Sequence, residues 1–190
     1  LHLCNKNMVK MDTNNDSKAK HNLLVDVCMA AKFEAESLIR YHDKYKLTYD
    51  DSQICTVLAR SFADIGDIVR GKDLYLGNKG EKTKREQLEE NLKKIFGIIY
   101  GKLKDAQNHY SDTTDYYQLR EDWWALNRKE VWKAITCSDD LKGASYFRQT
   151  CNDDGTSSNA NHYCRCKDKK GKNETDQVPT YFDYVPQYLR

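Results

Sequence analysis

Proline is nearly missing from this sequence. Its 190 residues hold two, Pro179 and Pro186, both in the last dozen. Nothing earlier blocks a helix by removing an N–H donor, so long uninterrupted helices are free to form. An excess of one charge is also missing. Thirty-one Lys and Arg face 29 Asp and Glu, for a net +2. That balance excludes a global polyanion signal, and any basic surface must come from local segregation. With no recognised nucleic-acid motif either, nucleic acid is not an expected partner. No apolar run is long enough to span a bilayer, no signal peptide opens the chain, and the first residue is not methionine. The expectation is an ectodomain piece whose secretion signal and anchor lie elsewhere in its parent, with no membrane insertion by this stretch. Catalytic signatures are absent too. There is no Gly-x-Ser-x-Gly elbow, no phosphate-cradling glycine loop and no His-Glu-x-x-His. His109 and His162 lie in polar, loop-like sequence. The chain does not read as an enzyme, and no cofactor is expected.

What is abundant is cysteine and aromatic surface. Seven cysteines point to an oxidising compartment. Seven is odd, so one thiol is free or has its partner outside the chain, and Cys4, so near the start, is the expected orphan. Spacing alone leaves the connectivity open. A metal reading would group His162, Cys164 and Cys166 with Cys151, but Cys-x-Cys fits the usual two-to-four-residue ligand spacing poorly. No metal is expected. Thirteen tyrosines and three tryptophans suit both core and interface. Trp123, Trp124 and Trp132 stand in helical sequence, which favours core packing over an exposed platform.

The organising stretch runs from Ile54 to Asp73. At a helical period Ile54, Leu58, Phe62, Ile65 and Val69 form one stripe. Asp64, Asp67 and Arg70 are spaced by three and share another face, as a structural ion-pair network would. Gly66 inside the helix marks a close crossing, because glycine there costs about 1 kcal/mol relative to alanine. Gly71 stops the helix. Three further helices are predicted, over 21–41, 83–104 and 116–137, with the organising helix over 53–70. The first has Leu24, Val27, Cys28, Ala31, Ala35 and Leu38 on one face. The third has Leu88, Leu92, Ile95, Phe96, Ile99 and Leu103. The fourth has Trp124, Val131 and Ile135, and Ser111 to Asp115 caps its start. Leu24, Leu58, Phe62, Leu92, Phe96 and Trp124 are expected at the centre. Four amphipathic helices without strand patterning read as an all-α bundle. Residues 152–178 read as an extended loop. Asn15-Asp16-Ser17 and Asn173-Glu174-Thr175 fit the N-glycosylation pattern, which marks both as surface loops.

The organising stretch resembles the signature of the Duffy-binding-like domains of malaria parasites. Four more blocks agree in order: His21-Asn22-Leu23-Leu24-Val25-Asp26-Val27-Cys28, Leu119-Arg120-Glu121-Asp122-Trp123-Trp124, Val131-Trp132-Lys133-Ala134-Ile135-Thr136-Cys137, and the run from Pro179 to Arg190. They resemble the alpha class of that domain, found near the N-terminus of Plasmodium falciparum erythrocyte membrane protein one. The resemblance implies a disulfide-bridged helical bundle with long loops. Residues 1–20 would be a short N-terminal subdomain, 21–151 the central bundle, and 152–190 a loop and the start of an incomplete third subdomain. It implies the pairs Cys28–Cys137 and Cys55–Cys151. It also implies an adhesion module on the surface of the infected red cell. Expected partners are erythrocyte receptors, heparan sulfate-like or blood-group glycans and complement receptor one, acting in rosetting and antigenic variation, together with the adjacent domains of the parent. The competing expectation is a spacer that orients neighbouring modules and binds nothing.

Two basic tracts are the candidate glycan site. Lys79, Lys82, Lys84, Arg85, Lys93 and Lys94 form the first. From Lys79 to Lys104 eight basic residues face four acidic ones. Arg165, Lys167, Lys169, Lys170 and Lys172 form the second. A sulfated chain would meet several flexible cations at once, whereas a merely solvated charged surface is the plain alternative.

Overall fold

A computed structural model describes residues 19–46, 53–74, 79–151, 158–167 and 177–190. Four helices carry the fold: α1 (Ala19–Lys46), α2 (Ile54–Arg70), α3 (Lys79–Gly101) and α4 (Tyr117–Ile135). Short 3-10 turns follow at Lys104–His109, Asp139–Leu141, Phe182–Tyr184 and Gln187–Leu189. Among the described residues there is no strand, only the isolated bridges Cys151–Ser158 and His162–Arg165. All four predicted helices form. Two are longer than their stripes indicated: α1 continues to Lys46, and α3 opens at Lys79 with Glu81 in its first turn, where the positive end of the helix dipole favours an acid.

The core is where the stripes meet. Leu58, Phe62, Leu92, Phe96 and Trp124 are fully buried as expected. Leu24 is only partly buried, and Leu23 takes the central place. The buried face of α1 is Leu23, Val27, Ala30, Ala31 and Ala35, one position round from the predicted one. Phe62 packs between Trp124 and Trp132, with ring centroids 5.1 and 5.2 Å away. All three tryptophans are core residues.

Helix α2 is the axis of the molecule. Every residue from Ser61 to Arg70 is buried, the polar face included. Gly66 explains how close the crossing is: a Cβ there would sit 2.7 Å from Trp124 Cζ2. The helix stops at Gly71, whose φ of 72° is the left-handed conformation glycine adopts without strain, and whose N–H reaches the carbonyl of Ile68. The start of α4 is capped by Asp112, which accepts from the N–H groups of Thr114, Asp115 and Tyr117 at 2.9–3.1 Å. These donors hold its carboxyl below the usual aspartate range.

The disulfides correct the expected pairing. Cys55 bonds Cys164, not Cys151, and Cys151 bonds Cys166. The reason is the local fold of 144–167. Tyr146 N–H donates to Ala160 O, Cys164 N–H to Ala144 O, and Trp132 Nε1–H to Cys164 O. This seats the 158–167 turn on the first turn of α2, with Ala160, Cys164 and Cys166 fully buried. The Cys28–Cys137 bond is not formed either, and both residues carry free thiols. Cys137 is exposed just past the end of α4, whereas Cys28 is half-buried on α1. Burial, with the Glu130 carboxylate adding to it, pushes the Cys28 thiol up to about 11. The expectation for Cys4 lies outside the described residues, as do Asn15 and Asn173.

Candidate functional site

Three surfaces carry enough chemistry to be weighed. The first is the polar face of α2. Asp64, Asp67 and Arg70 do form an ion-pair network, with its partners in the last turns of the chain. Arg70 donates to Gly66 O and Asp67 Oδ1 at 3.0 Å each, and to the main-chain oxygen of Asp183. Arg190 pairs with Asp67 and Asp64. Asp183 is itself buried, accepting from Arg128 at 2.7 and 2.8 Å and from Trp124 Nε1 at 2.9 Å. On the other side Arg120 donates to Val69 O and Ile68 O and makes a bidentate pair with Glu89 of α3 at 2.6 and 2.9 Å. Burial raises the carboxyls of Asp64 and Asp67 above the ordinary aspartate range, against the pull of Arg190. Every cation in this network is tied to main chain or carboxylate. Its chemistry is to clamp the terminal turns and α4 onto α2.

The second surface is the first basic tract, which lies along α3. The structure divides its residues. Arg85 pairs with Asp73 beyond the end of α2, and Lys93 pairs with Asp115 at 2.7 Å. Both hold α3 in place. Lys82 only approaches Glu86, at 3.9 Å with both side chains over 60 % exposed. Lys84 and Lys94 are exposed on α3 with no ion pair among the described residues. The side chain of Lys79 lies outside the described residues. In the second tract Arg165 is structural. It donates to Thr136 Oγ1 and to the carbonyls of Lys133 and Thr136 at 2.7–2.9 Å, which satisfies the C-terminal end of α4. Lys167 is half-buried. Lys169, Lys170 and Lys172 lie outside the described residues. Among the described residues of the two tracts, the exposed cations are thus Lys82, Lys84 and Lys94, with Glu86 and Glu90 interleaved. The sequence signal that separates them from Arg85 and Lys93 is weak, because the partners Asp73 and Asp115 sit on other elements.

The third surface had no sequence signal. A groove of about 1380 Å³ runs between α1, α2 and the terminal turns. Tyr41, Phe147 and Tyr181 form its aromatic walls, and Ser61, Asp64 and Arg190 lie on its floor. The residues weighed as metal ligands do not gather as such. Cys151, Cys164 and Cys166 have their sulfurs in disulfides, and Cys55 takes Cys164.

Comparison with known proteins agrees with this geometry. A family model, the Duffy binding domain, matches residues 1–190. The crystal structure of the NTS-DBL1(alpha-1) domain of Plasmodium falciparum membrane protein 1 (PfEMP1) from the varO strain is similar at 39 % identity and a TM-score of 0.76. The match covers 99 % of this chain and 40 % of that one. An ICAM-1-binding PfEMP1 DBLbeta domain matches at 29 % identity and a TM-score of 0.68, covering 99 % of this chain and 39 % of that one. A PfEMP1 DBLb domain bound to human ICAM-1 matches at 30 % identity and a TM-score of 0.58, over 89 % of this chain and 30 % of that one. The chain therefore spans about two fifths or less of these solved relatives. No curated protein matches.

Proposed function

The chain belongs to the Duffy binding domain family, and from that premise we propose that it is part of a host-cell adhesion module of a parasite variant surface antigen. Of the similar domains, one is ICAM-1-binding and another is bound to human ICAM-1. Adhesion to a host surface receptor is therefore the reading that the family favours. On this chain the proposed ligand is a sulfated, heparan sulfate-like glycan on the erythrocyte, engaged during rosetting at the surface of the infected red cell. One observation carries it: Lys82, Lys84 and Lys94 stand exposed along α3, clear of the buried clamps. Each such contact is weak, since a lysine ammonium is strongly hydrated and flexible. Several on one sulfated chain add up by avidity. Binding should fall steeply with salt, because charges farther apart than a Debye length of about 8 Å are screened at physiological ionic strength.

The test is heparin retention of the wild type against Lys82→Glu/Lys84→Glu/Lys94→Glu. Arg85 and Lys93 are left intact, since changing them would break the ion pairs that seat α3. The variant should elute at clearly lower salt. Elution at the same salt would mean that this face is only solvated. The second reading, a spacer that orients neighbouring modules, is favoured by the glutamates interleaved on α3 and by the Lys82–Glu86 approach, and it would then gain.

A further inference from the structure

The floor of the groove beside α2 is unfinished. Ser61 is buried, and its Oγ has no hydrogen-bond partner among the described residues. The Arg190 side chain is 3 % exposed. Its terminal nitrogens reach Asp67 and Phe182 O, but its buried Nε donates to nothing among the described residues. A buried polar atom left unpaired costs more than an ordinary hydrogen bond gains. Both residues line the same groove; the two donor atoms are themselves covered, so an acceptor oxygen reaches them only where the side chains over them move aside.

Size and walls narrow the class of ligand. Sites for small molecules occupy roughly 300–1,000 Å³, and this groove is about 1380 Å³. A chain-like ligand fits it better. Leu38, Val57 and Val185 line it beside the aromatic rings. Aliphatic walls suit an apolar side chain. The rim charge is positive. Arg60 and Arg148 are exposed and have no carboxylate partner among the described residues, and Arg148 lies over the Phe147 ring at 5.0 Å. On the acidic side Asp64 is held by Arg190, and Glu34 is buried.

We propose that this groove is a docking site for an extended segment of a partner protein, presenting an apolar side chain flanked by carboxylates, with an acceptor oxygen received by Ser61 Oγ and Arg190 Nε. It is separate from the lysines of α3, so the two sites stand or fall independently.

Two fluorescein-labelled, end-blocked dodecapeptides serve as probes. They share a central leucine and tyrosine, and one is flanked by glutamates, the other by lysines. Fluorescence polarisation against the folded chain should show saturable binding of the acidic probe, about tenfold tighter than the basic one. Arg60→Glu/Arg148→Glu, at exposed positions, should reverse that order and leave heparin retention unchanged. Ser61→Ala should weaken the acidic probe several-fold without lowering the melting temperature. The proposal is overturned if neither probe binds below about 1 mM, or if both bind equally. Displacement of the acidic probe by heparin oligosaccharides, or loss of heparin retention in the rim variant, would make the groove a general anion surface and overturn it too. So would binding that disappears in a polypeptide extended past Arg190, because the added sequence would then fill the groove.

Discussion

Asp183→Asn tests the clamp on which the architecture depends. The carboxylate is fully buried and accepts from Arg128 twice and from Trp124 once. Asparagine keeps the size but removes the charge, and it turns one oxygen into a donor facing other donors. Arg128, 13 % exposed, then loses its counter-charge. Breaking a buried pair from one side costs about 3–5 kcal/mol. An exposed pair such as Lys82–Glu86, at 3.9 Å, contributes at most about 0.5 kcal/mol. With a urea dependence of about 2 kcal/mol per molar, the unfolding midpoint should fall by roughly 1.5–2.5 M for Asp183→Asn. For Glu86→Gln the fall should stay within about 0.3 M. Tryptophan fluorescence with the disulfides intact is the readout, since all three rings are core residues. Adding Arg128→Met to Asp183→Asn removes the orphaned cation, so the double variant should recover about 1 kcal/mol or more over the single one. A midpoint within about 0.5 M of wild type for Asp183→Asn, or a double variant worse than the single one, would refute the reasoning.

Gly66→Ala would improve helix propensity by about 1 kcal/mol, yet its Cβ would meet Trp124 at 2.7 and 2.9 Å. Overpacking of about 1–3 kcal/mol should win, and calorimetry should show a lower Tm; a higher one would mean that the ring yields freely. The Cys55–Cys164 bond spans 109 residues and Cys151–Cys166 spans 15. Loop entropy assigns them about 4.7 and about 3 kcal/mol, so alanine replacement of the first pair should cost more in urea unfolding, and equal losses would contradict this ordering. Asp64 has a raised carboxyl in the fold because of burial. The folded state therefore binds its proton more tightly than the unfolded chain, and protonation favours folding. Its stabilising contribution is complete below the ordinary aspartate value of about 3.9 and is lost as pH rises through the raised folded value. The wild type should thus gain stability relative to Asp64→Asn as pH falls across that window. A gap that stays constant or widens the other way would show that Arg190 outweighs burial there.

The helices were legible because their apolar stripes face one another, which is what periodicity reports. Leu23 against Leu24 shows the limit of that signal. Adjacent leucines lie only 100° apart on a helix, and the angle at which α1 meets α2 and α4 decides which is buried. The ion-pair network on α2 was legible as a motif, but its partners were not. Arg190 reaches Asp67 across 123 positions, and Arg128 reaches Asp183 across 55. Arg85 and Lys93 looked like free cations for the same reason, since nothing in their own helix reveals Asp73 or Asp115. The disulfides failed differently. Cys151 and Cys166 are brought together by the hydrogen bonds that seat residues 158–167 against 144–151, which spacing does not reveal.

The residues that carry the family resemblance are largely the residues that hold the fold. Leu58, Phe62, Asp64, Asp67, Arg70, Arg120, Trp123, Trp124, Trp132 and Asp183 are all buried. Apart from Asp64 on the groove floor, a receptor approaching from solvent does not touch them. Substituting one would unfold or loosen the domain before it altered which ligand is chosen, so loss of binding in such variants says little about where the ligand sits. Specificity has to be carried by what these clamps leave exposed. On the two proposed readings that means Lys82, Lys84 and Lys94 on α3, and Tyr41, Arg60, Phe147 and Arg148 around the groove. All but Arg60 lie outside the sequence blocks that carry the resemblance. They can change without disturbing the bundle, because each costs little to replace in the folded state. A scaffold fixed by buried charge pairs and two disulfides is therefore free to present different ligand surfaces on the same helices.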